Sequence, residues 1–469
     1  MNTFLKLSFV LLFVSVSYAN NVINNLVKLP KHFKVEHTFS GDLNDTESFH
    51  LIFSKNKKNK LFTIHPYVFD GTNITPLDNI TNDSSYSLVS FHRDNNILSL
   101  LLSFKEDKKD FIKRININLL SKEIEESDAI ENEDFSTSIR EENRSILINK
   151  NKKEIRIVEF KNKSDIKVLK YSYNKRDDKY RDFFDANIEA VKTNEFVANG
   201  SVAELRAYLD GENIIFTKEI KENISTEVVS IPLNKKELFP SKILVFKLNN
   251  SDNTYKKITS FYHDKKLYQF ANNKKHGEIK ITSTSSKKGS TIKLDQSLTQ
   301  QLVQKHNFKG FDDFLKAAGK SKYNTTLTIN NTEDGNLKVR VDYVNIEYSY
   351  HYNWWWHHRM MHMHMMHQQI QFNAPAGFGP TQPNDFHFNT YDIPKEKRYF
   401  EFVINNQNEV ISNTKTKTLY KEVDKKEYID KLEEIQDYKQ ESSCFLENSF
   451  RFIAYSKKNK GFIIQTNTL

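Results

Sequence analysis

Five of the six methionines in this 469-residue chain, Met360, Met361, Met363, Met365 and Met366, fall in one short window, interleaved with His362 and His364 and followed by His367. His357 and His358 precede them, and all three tryptophans, Trp354, Trp355 and Trp356, stand directly before those histidines. From Tyr348 through Asn384 there is no Asp, Glu or Lys, and Arg359 is the only charged side chain, in a chain that is 28% charged overall. A thioether is a soft, neutral ligand for Cu(I), and imidazole serves Cu(I), Cu(II), Ni(II) and Zn(II). The mixed set His357, His358, Met360, Met361, His362, Met363, His364, Met365, Met366 and His367 therefore favours copper. The lack of carboxylates argues against Ca²⁺ and Mg²⁺, which need hard oxygen ligands.

The ligand supply does not depend on local structure. An extended segment places His358, Met360, His362, His364 and Met366 on one side and His357, Met361, Met363, Met365 and His367 on the other. A helix aligns His358, His362 and Met365 or Met366. In composition the segment resembles the Met- and His-rich stretches of exported copper-handling proteins and the extracellular tails of copper transporters. No motif of fixed spacing accompanies that resemblance, and the rest of the chain adds nothing to it. Two other readings stay open. The run, extended by Gln368 and Gln369, is a low-complexity loop without a selected metal, or Trp354, Trp355 and Trp356 form a contact surface for a glycan or a lipid headgroup region.

Outside this window the chemistry is thin. His65, His92 and His263 lie on hairpin strands and read as packed or surface histidines, whereas His387 could add a ligand by folding back. The single cysteine, Cys444, excludes an internal disulfide and reads as a buried apolar filler. There is no Gly-X-Ser-X-Gly elbow, no His-Glu-X-X-His, no phosphate loop and no dinucleotide fingerprint. No catalytic residue is assigned. The leading reading is an exported, non-catalytic binding or structural scaffold with a His/Met-rich loop. The alternative is an extracytoplasmic copper-binding protein using that loop. The second alternative is an extracellular hydrolase with carboxylates assembled in a propeller channel, because such a pair leaves no local trace in a sequence.

The elements that must position the window are β-hairpins. Aromatic and β-branched runs joined by short polar turns recur about eight times, from Phe49–Phe53 with Leu61–Tyr67 to Phe450–Tyr455 with Phe462–Gln465. Between them come pairs starting at Tyr86, Ser145, Leu205, Ile258, Thr325 and Tyr399. This spacing predicts an all-β chain, an irregular β-propeller of about seven or eight blades, with two β-sandwich domains as the alternative. Residues 297–319 read as a small helical insertion, and Lys425–Ile435 as a short amphipathic helix. The acidic stretch Glu123–Glu142 reads as a solvated loop. The His/Met/Trp-rich residues 349–394 form an insertion between two strands, a place where binding residues are commonly carried.

Residues 1–19 read as a signal peptide, with Lys6, an apolar run and Ser17-Tyr18-Ala19, leaving residues 20–469 as one large domain. The expected location is extracytoplasmic, secreted or periplasmic, without a transmembrane segment in the mature chain. The net charge of +9 is the remainder of 69 basic and 60 acidic residues mixed along the chain, which does not make a nucleic-acid footprint. Lysines such as Lys55, Lys57, Lys58 and Lys60 fall at hairpin tips and serve solubility. A protein, glycan or envelope surface is the expected class of partner.

Overall fold

The computed structural model describes residues 25–173, 178–192, 200–235, 237, 240–248, 255–303, 309–345, 399–411, 417–421, 423 and 425–469. The chain is all-β and forms an irregular β-propeller. Among the described residues there are seven sheets of four or five strands, and pairing within them is antiparallel except for one short strand of sheet 4. Two β-sandwiches would instead gather the strands into pairs of facing sheets. The strands also show why simple alternation is rare. Ile97–Glu106 buries Leu98, Ser99, Leu100, Leu101 and Leu102 in succession, because both faces of a blade are covered.

Two compact units are distinguishable, one formed by Met1–Tyr86 with Tyr428–Leu469 and the other by Ser87–Glu427. In the first unit, sheet 1 contains Phe33–Asp42, Ser48–Asn56 and Phe62–Phe69, with the short strands Ile74–Pro76 and Ile80–Asn82 on its outer edge. Sheet 7 contains Tyr438–Leu446, Ser449–Ser456 and Gly461–Thr468 and is completed from the other end of the chain by Leu26–Val27, which pairs antiparallel with Phe462 and Ile463. The likeness between the first and last hairpins thus corresponds to adjacent sheets. Ile52 and Phe69 pack with Ile453, Phe462 and Ile464 in one apolar cluster.

The second unit holds five sheets. Sheet 2 starts at Ser87, sheet 3 at Phe135, sheet 4 at Ile188, sheet 5 at Lys257 and sheet 6 at Tyr323. Sheet 4 is irregular, since its first strand, Ile188–Ala190, runs parallel to Leu205–Asp210. The acidic stretch read as a solvated loop is a correction. It supplies Ile124–Glu126 and Ile130–Glu131 to the edge of sheet 2 and Phe135–Glu141 to sheet 3. Its charges face water from edge strands while Thr137, Ser138 and Ile139 are buried, so high charge density concealed strand structure. The helical segments among the described residues are Lys179–Phe183, the pair Gln296–Gln300 and Phe311–Ala318 in the expected insertion, and Lys425–Glu433.

A buried or half-buried cation spans every junction between successive sheets inside a unit. Arg114 of sheet 2 donates to the carbonyls of Asn162 and Asp165 in sheet 3, at 3.3 and 3.2 Å. Arg144 of sheet 3 reaches the Gly211 carbonyl at 2.7 Å and Glu212 Oε1 at 3.0 Å in sheet 4. Arg206 of sheet 4 donates to the Ser260 carbonyl of sheet 5 at 2.7 Å, and Lys257 of sheet 5 donates to the carbonyls of Ala318, Lys320 and Tyr323. In the first unit, Arg451 of sheet 7 donates to the carbonyls of Phe69 and Thr46, both at 2.7 Å. Flat apolar faces alone would slide. Charge-assisted bonds to fixed carbonyls, each worth about 1.5–3 kcal/mol, set the register of one sheet on the next.

Candidate functional site

The histidine- and methionine-rich window and the three tryptophans, His357 to His367 and Trp354 to Trp356, lie outside the described residues, as does His387. The stem from which the window leaves is described. Leu337–Asn345 and Phe400–Ile404 are antiparallel neighbours in sheet 6, with Val341 opposite Phe400. Residues 346–399 therefore join two strands of one hairpin, and both ends of the segment are anchored on the same sheet.

The two faces of this stem are held differently. On one face Val339, Val341, Tyr343, Phe400 and Phe402 enter the core. The Phe400 ring meets Phe311 at 5.1 Å and Phe314 at 5.0 Å, both carried by the helix Phe311–Ala318. That helix presents Phe311, Phe314, Leu315 and Ala318 along one side, and burying the stripe against the stem fixes where it sits.

The opposite face carries charge, although Lys338, Arg340, Asp342 and Glu401 are each under 10% exposed. Arg340 stands opposite Glu401 in the register. Its Nε donates to Asp342 Oδ2 at 2.6 Å, and its Nη1 donates to Glu401 Oε1 at 3.1 Å. Lys338 Nζ lies 2.9 Å from Glu401 Oε2. The Arg340 guanidinium also covers the Tyr399 ring at 3.9 Å, and burial raises the Tyr399 pKa, with the Glu401 charge adding to the effect. Thr326 and Thr328 complete this layer from the neighbouring strand, and their hydroxyl oxygens are buried with no hydrogen-bond partner in the structure. Two cations against two carboxylates balance the charge of the layer. Arg340 and Lys338 engage both Asp342 and Glu401, so these carboxylates are held in an ion-pair cluster rather than set apart as the acid and base pair that glycoside hydrolysis requires. Their role is to lock the stem.

The histidines singled out in the sequence are structural. His65 is buried, with Nε2 2.8 Å from Ser54 Oγ and Nδ1 2.9 Å from Asn79 Oδ1. His92 lies between Ser145 Oγ at 3.1 Å and the Asn162 carbonyl at 3.2 Å, and His263 Nε2 is 2.9 Å from Asn331 Oδ1. Burial lowers the pKa of all three. Cys444 is buried on the strand Tyr438–Leu446. No group of three or more His, Cys, Asp or Glu among the described residues could hold a metal ion.

A charged cleft of about 410 Å³ lies in the second unit beside Glu131, Asp134, Asn151, Glu154, Arg156 and Lys170. These side chains are engaged with one another or with backbone: Lys170 with Glu154 at 2.6 Å, Asn151 with Asp134 at 2.7 Å, and Arg156 with the Glu131 carbonyl at 2.7 Å. The cleft has no convergent set of donors comparable to a ligand pocket. No described helix is long and apolar enough to cross a membrane.

No protein-family model matches the chain, and no curated protein matches it. Solved structures are similar only distantly. A functionally unknown protein from Desulfotomaculum acetoxidans is 10% identical, aligns over 69% of this chain and 86% of its own, and has a TM-score of 0.28. The Dos1 propeller is 7% identical over 66% of this chain and 65% of its own, with a TM-score of 0.30. A prolyl endopeptidase structure is 8% identical over 95% of this chain, which spans 57% of that protein, with a TM-score of 0.31. Resemblance at this level assigns neither substrate nor activity, and the architecture rests on the sheet order itself.

Proposed function

We propose that this chain is an exported, non-catalytic scaffold that carries a binding loop, residues 346–399, on a locked hairpin of sheet 6. The observation that carries this reading is the stem. Its two strands are adjacent, one face is packed by Phe400 on Phe311 and Phe314, and the other is closed by the Lys338, Arg340, Asp342 and Glu401 cluster. A scaffold of this kind tolerates chemistry in the loop without disturbing the blade, because long insertions between fixed ends cost little extra closure entropy. Replacing residues 350–395 by a short Gly/Ser linker is expected to leave the denaturation midpoint within error of the parent. A large loss of stability in that variant would mean that the segment belongs to the core rather than being carried by it.

A second reading is favoured by the loop's composition, with five thioethers and five imidazoles between His357 and His367 and no carboxylate among them. In it the protein is an extracytoplasmic copper-binding protein. The test is titration of the reduced mature protein with Cu(I) against a competing chelator, beside a variant with Met360–His367 replaced by Ser and Gly. Stoichiometric binding that disappears in the variant establishes copper handling. Equal or weak binding by both proteins leaves the scaffold with a loop whose contacts are not metallic. Export is checked separately by the N-terminus of the secreted product, expected near Asn20.

A further inference from the structure

The first unit is electrically polarised along its strands. Phe33 pairs with Asn56, Tyr438 with Ser456 and Val27 with Phe462, while Thr38 Oγ1 donates to the Gln440 carbonyl at 2.8 Å and Gln440 Nε2 donates to the Val35 carbonyl at 3.2 Å. These registers place the hairpin tips 57–61 and 457–460 at the same end of two neighbouring sheets. The tips carry Lys57, Lys58, Lys60, Lys457, Lys458 and Lys460, all exposed. Lys28, Lys31, Lys34 and Lys439 are exposed at the same end. No salt bridge joins any of these ten ammonium groups to a carboxylate among the described residues, although the charges of Lys457 and Lys458 act on Asp437.

The acidic groups at or near this end are Asp83, Glu434 and Asp437, with the half-buried Glu36 and Glu441 two residues further along the strands that carry Lys34 and Lys439. Asp437 is occupied, accepting from Ser456 Oγ at 2.5 Å and from the Lys458 backbone N–H at 2.8 Å. The opposite end carries Asp42, Asp45, Glu47, Asp70 and Glu447; of the cations near it, Arg451 is 5% exposed and bound to the Thr46 and Phe69 carbonyls, and Lys431 lies over the Tyr428 ring, which packs on Phe445 and Phe450. The mixing of signs along the sequence conceals this separation, because successive turns alternate between the two ends of a meander.

We propose that the lysine-bearing end of this unit docks on a membrane surface rich in anionic phospholipid. Three features favour a bilayer over a soluble polyanion. The charges are lysines without an arginine, so the end attracts negative potential but lacks the planar fork that grips individual phosphates or sulfates. No exposed aromatic ring is present there to stack on a base or a sugar face. Ile435, 39% exposed in the turn before Tyr438, adds an apolar side chain that can enter the interfacial region beside the lysines. Adjacent sheets stand about 10 Å apart, so both tips reach one plane together. The inference is independent of the loop reading, since none of these residues lies between 346 and 399.

The test is flotation of the purified full chain with phosphatidylserine-rich vesicles and with pure phosphatidylcholine vesicles, at low and high salt. Binding is expected to the anionic vesicles only and to fall steeply with salt. Replacing Lys57, Lys58, Lys60, Lys457, Lys458 and Lys460 by Gln is expected to weaken it at least about a hundredfold, given the additive attraction of lysines to a charged leaflet. A control with the same charge change, Lys152, Lys153, Lys274, Lys275, Lys287 and Lys288 to Gln, is expected to bind like the parent, as is the loop-replaced variant of the copper titration. The idea is overturned if the parent ignores both vesicles, if the two Gln variants lose binding equally, or if immobilised heparin retains the parent and vesicles do not. Wild-type salt dependence requires no variant, so a misfolded mutant cannot leave the question open.

Discussion

Glu219→Ala is expected to destabilise the protein by about 3–5 kcal/mol. Arg206 and Glu219 are the most deeply buried ion pair described, at 1% and 5% exposed, with Arg206 Nη1 donating to Glu219 Oε1 at 2.5 Å. Burial pushes the Glu219 carboxyl above its usual range, against the pull of Arg206. Burial also works against the Arg206 charge, but Glu219 and the neighbouring Tyr208 and Glu189 more than offset it, so the guanidinium remains protonated. Removing Glu219 strands that charge in the seam between sheets 4 and 5 and leaves the Ser260 N–H, which donates to Glu219 at 2.7 Å, without its acceptor.

The double variant Arg206→Met/Glu219→Leu separates the two costs. Replacing a buried pair by apolar groups is often nearly neutral, yet here it also abandons the Ser260 and Ser201 carbonyls and the Ser260 N–H. The double variant should therefore recover part of the lost stability but not all of it. Denaturant midpoints of the three proteins decide the matter, and a shift below about 1 kcal/mol for Glu219→Ala, the range of an exposed pair, would mean that the seam does not depend on this contact.

How far these features can be read from sequence varies with their range. The hairpins are local and legible: Asp210-Gly211 turns with Gly211 at φ +57°, and Asn95, Lys60 and Lys460 take the same left-handed conformation in turns of comparable polarity. Ile188–Ala190 was not legible, because a three-residue strand pairing parallel to Leu205–Asp210 is defined by its partner and not by its own pattern. The stem cluster misleads in another way. Leu337, Val339, Val341 and Tyr343 alternate with Lys338, Arg340 and Asp342, the signature of a half-exposed strand, yet both faces are buried. Glu401, which balances Arg340, lies 61 residues away across the long insertion, so no window of sequence contains the cluster. The loop is the reverse case. Its composition announces chemistry that requires no neighbour to recognise, while its arrangement falls outside the described residues.

Acid is expected to weaken the fold from just below neutrality, before the carboxylates titrate. His50 is fully buried, with Nδ1 2.8 Å from Ser40 Oγ and Nε2 3.1 Å from Ser48 Oγ, and burial followed by the Arg451 charge lowers its pKa to about 3. Burial lowers His92 to about 4. The Asn162 carbonyl and Asp94 raise it in part, and the Arg114 and Arg140 charges lower it. An unfolded histidine titrates near 6.5, so between that value and 3 to 4 the unfolded chain binds more protons than the folded one. Stability is then fully present above about pH 6.5 and falls as the pH drops, by about 1.4 kcal/mol per pH unit for each group. By about pH 4.5 the two together remove roughly 5 kcal/mol. His65 and His263, lowered by the same cause, add to the slope. Both rings sit where sheets meet. Ser40, the partner of His50, also bonds Ser442 of sheet 7, and His92 of sheet 2 reaches Ser145 of sheet 3, so protonation opens seams rather than loops. Urea midpoints measured between about pH 7.5 and 5 should decline accordingly, and His92→Gln, whatever its effect at neutrality, should flatten the decline by the slope of one group. An unchanged midpoint across that range would show that the imidazoles accept protons without breaking the seams.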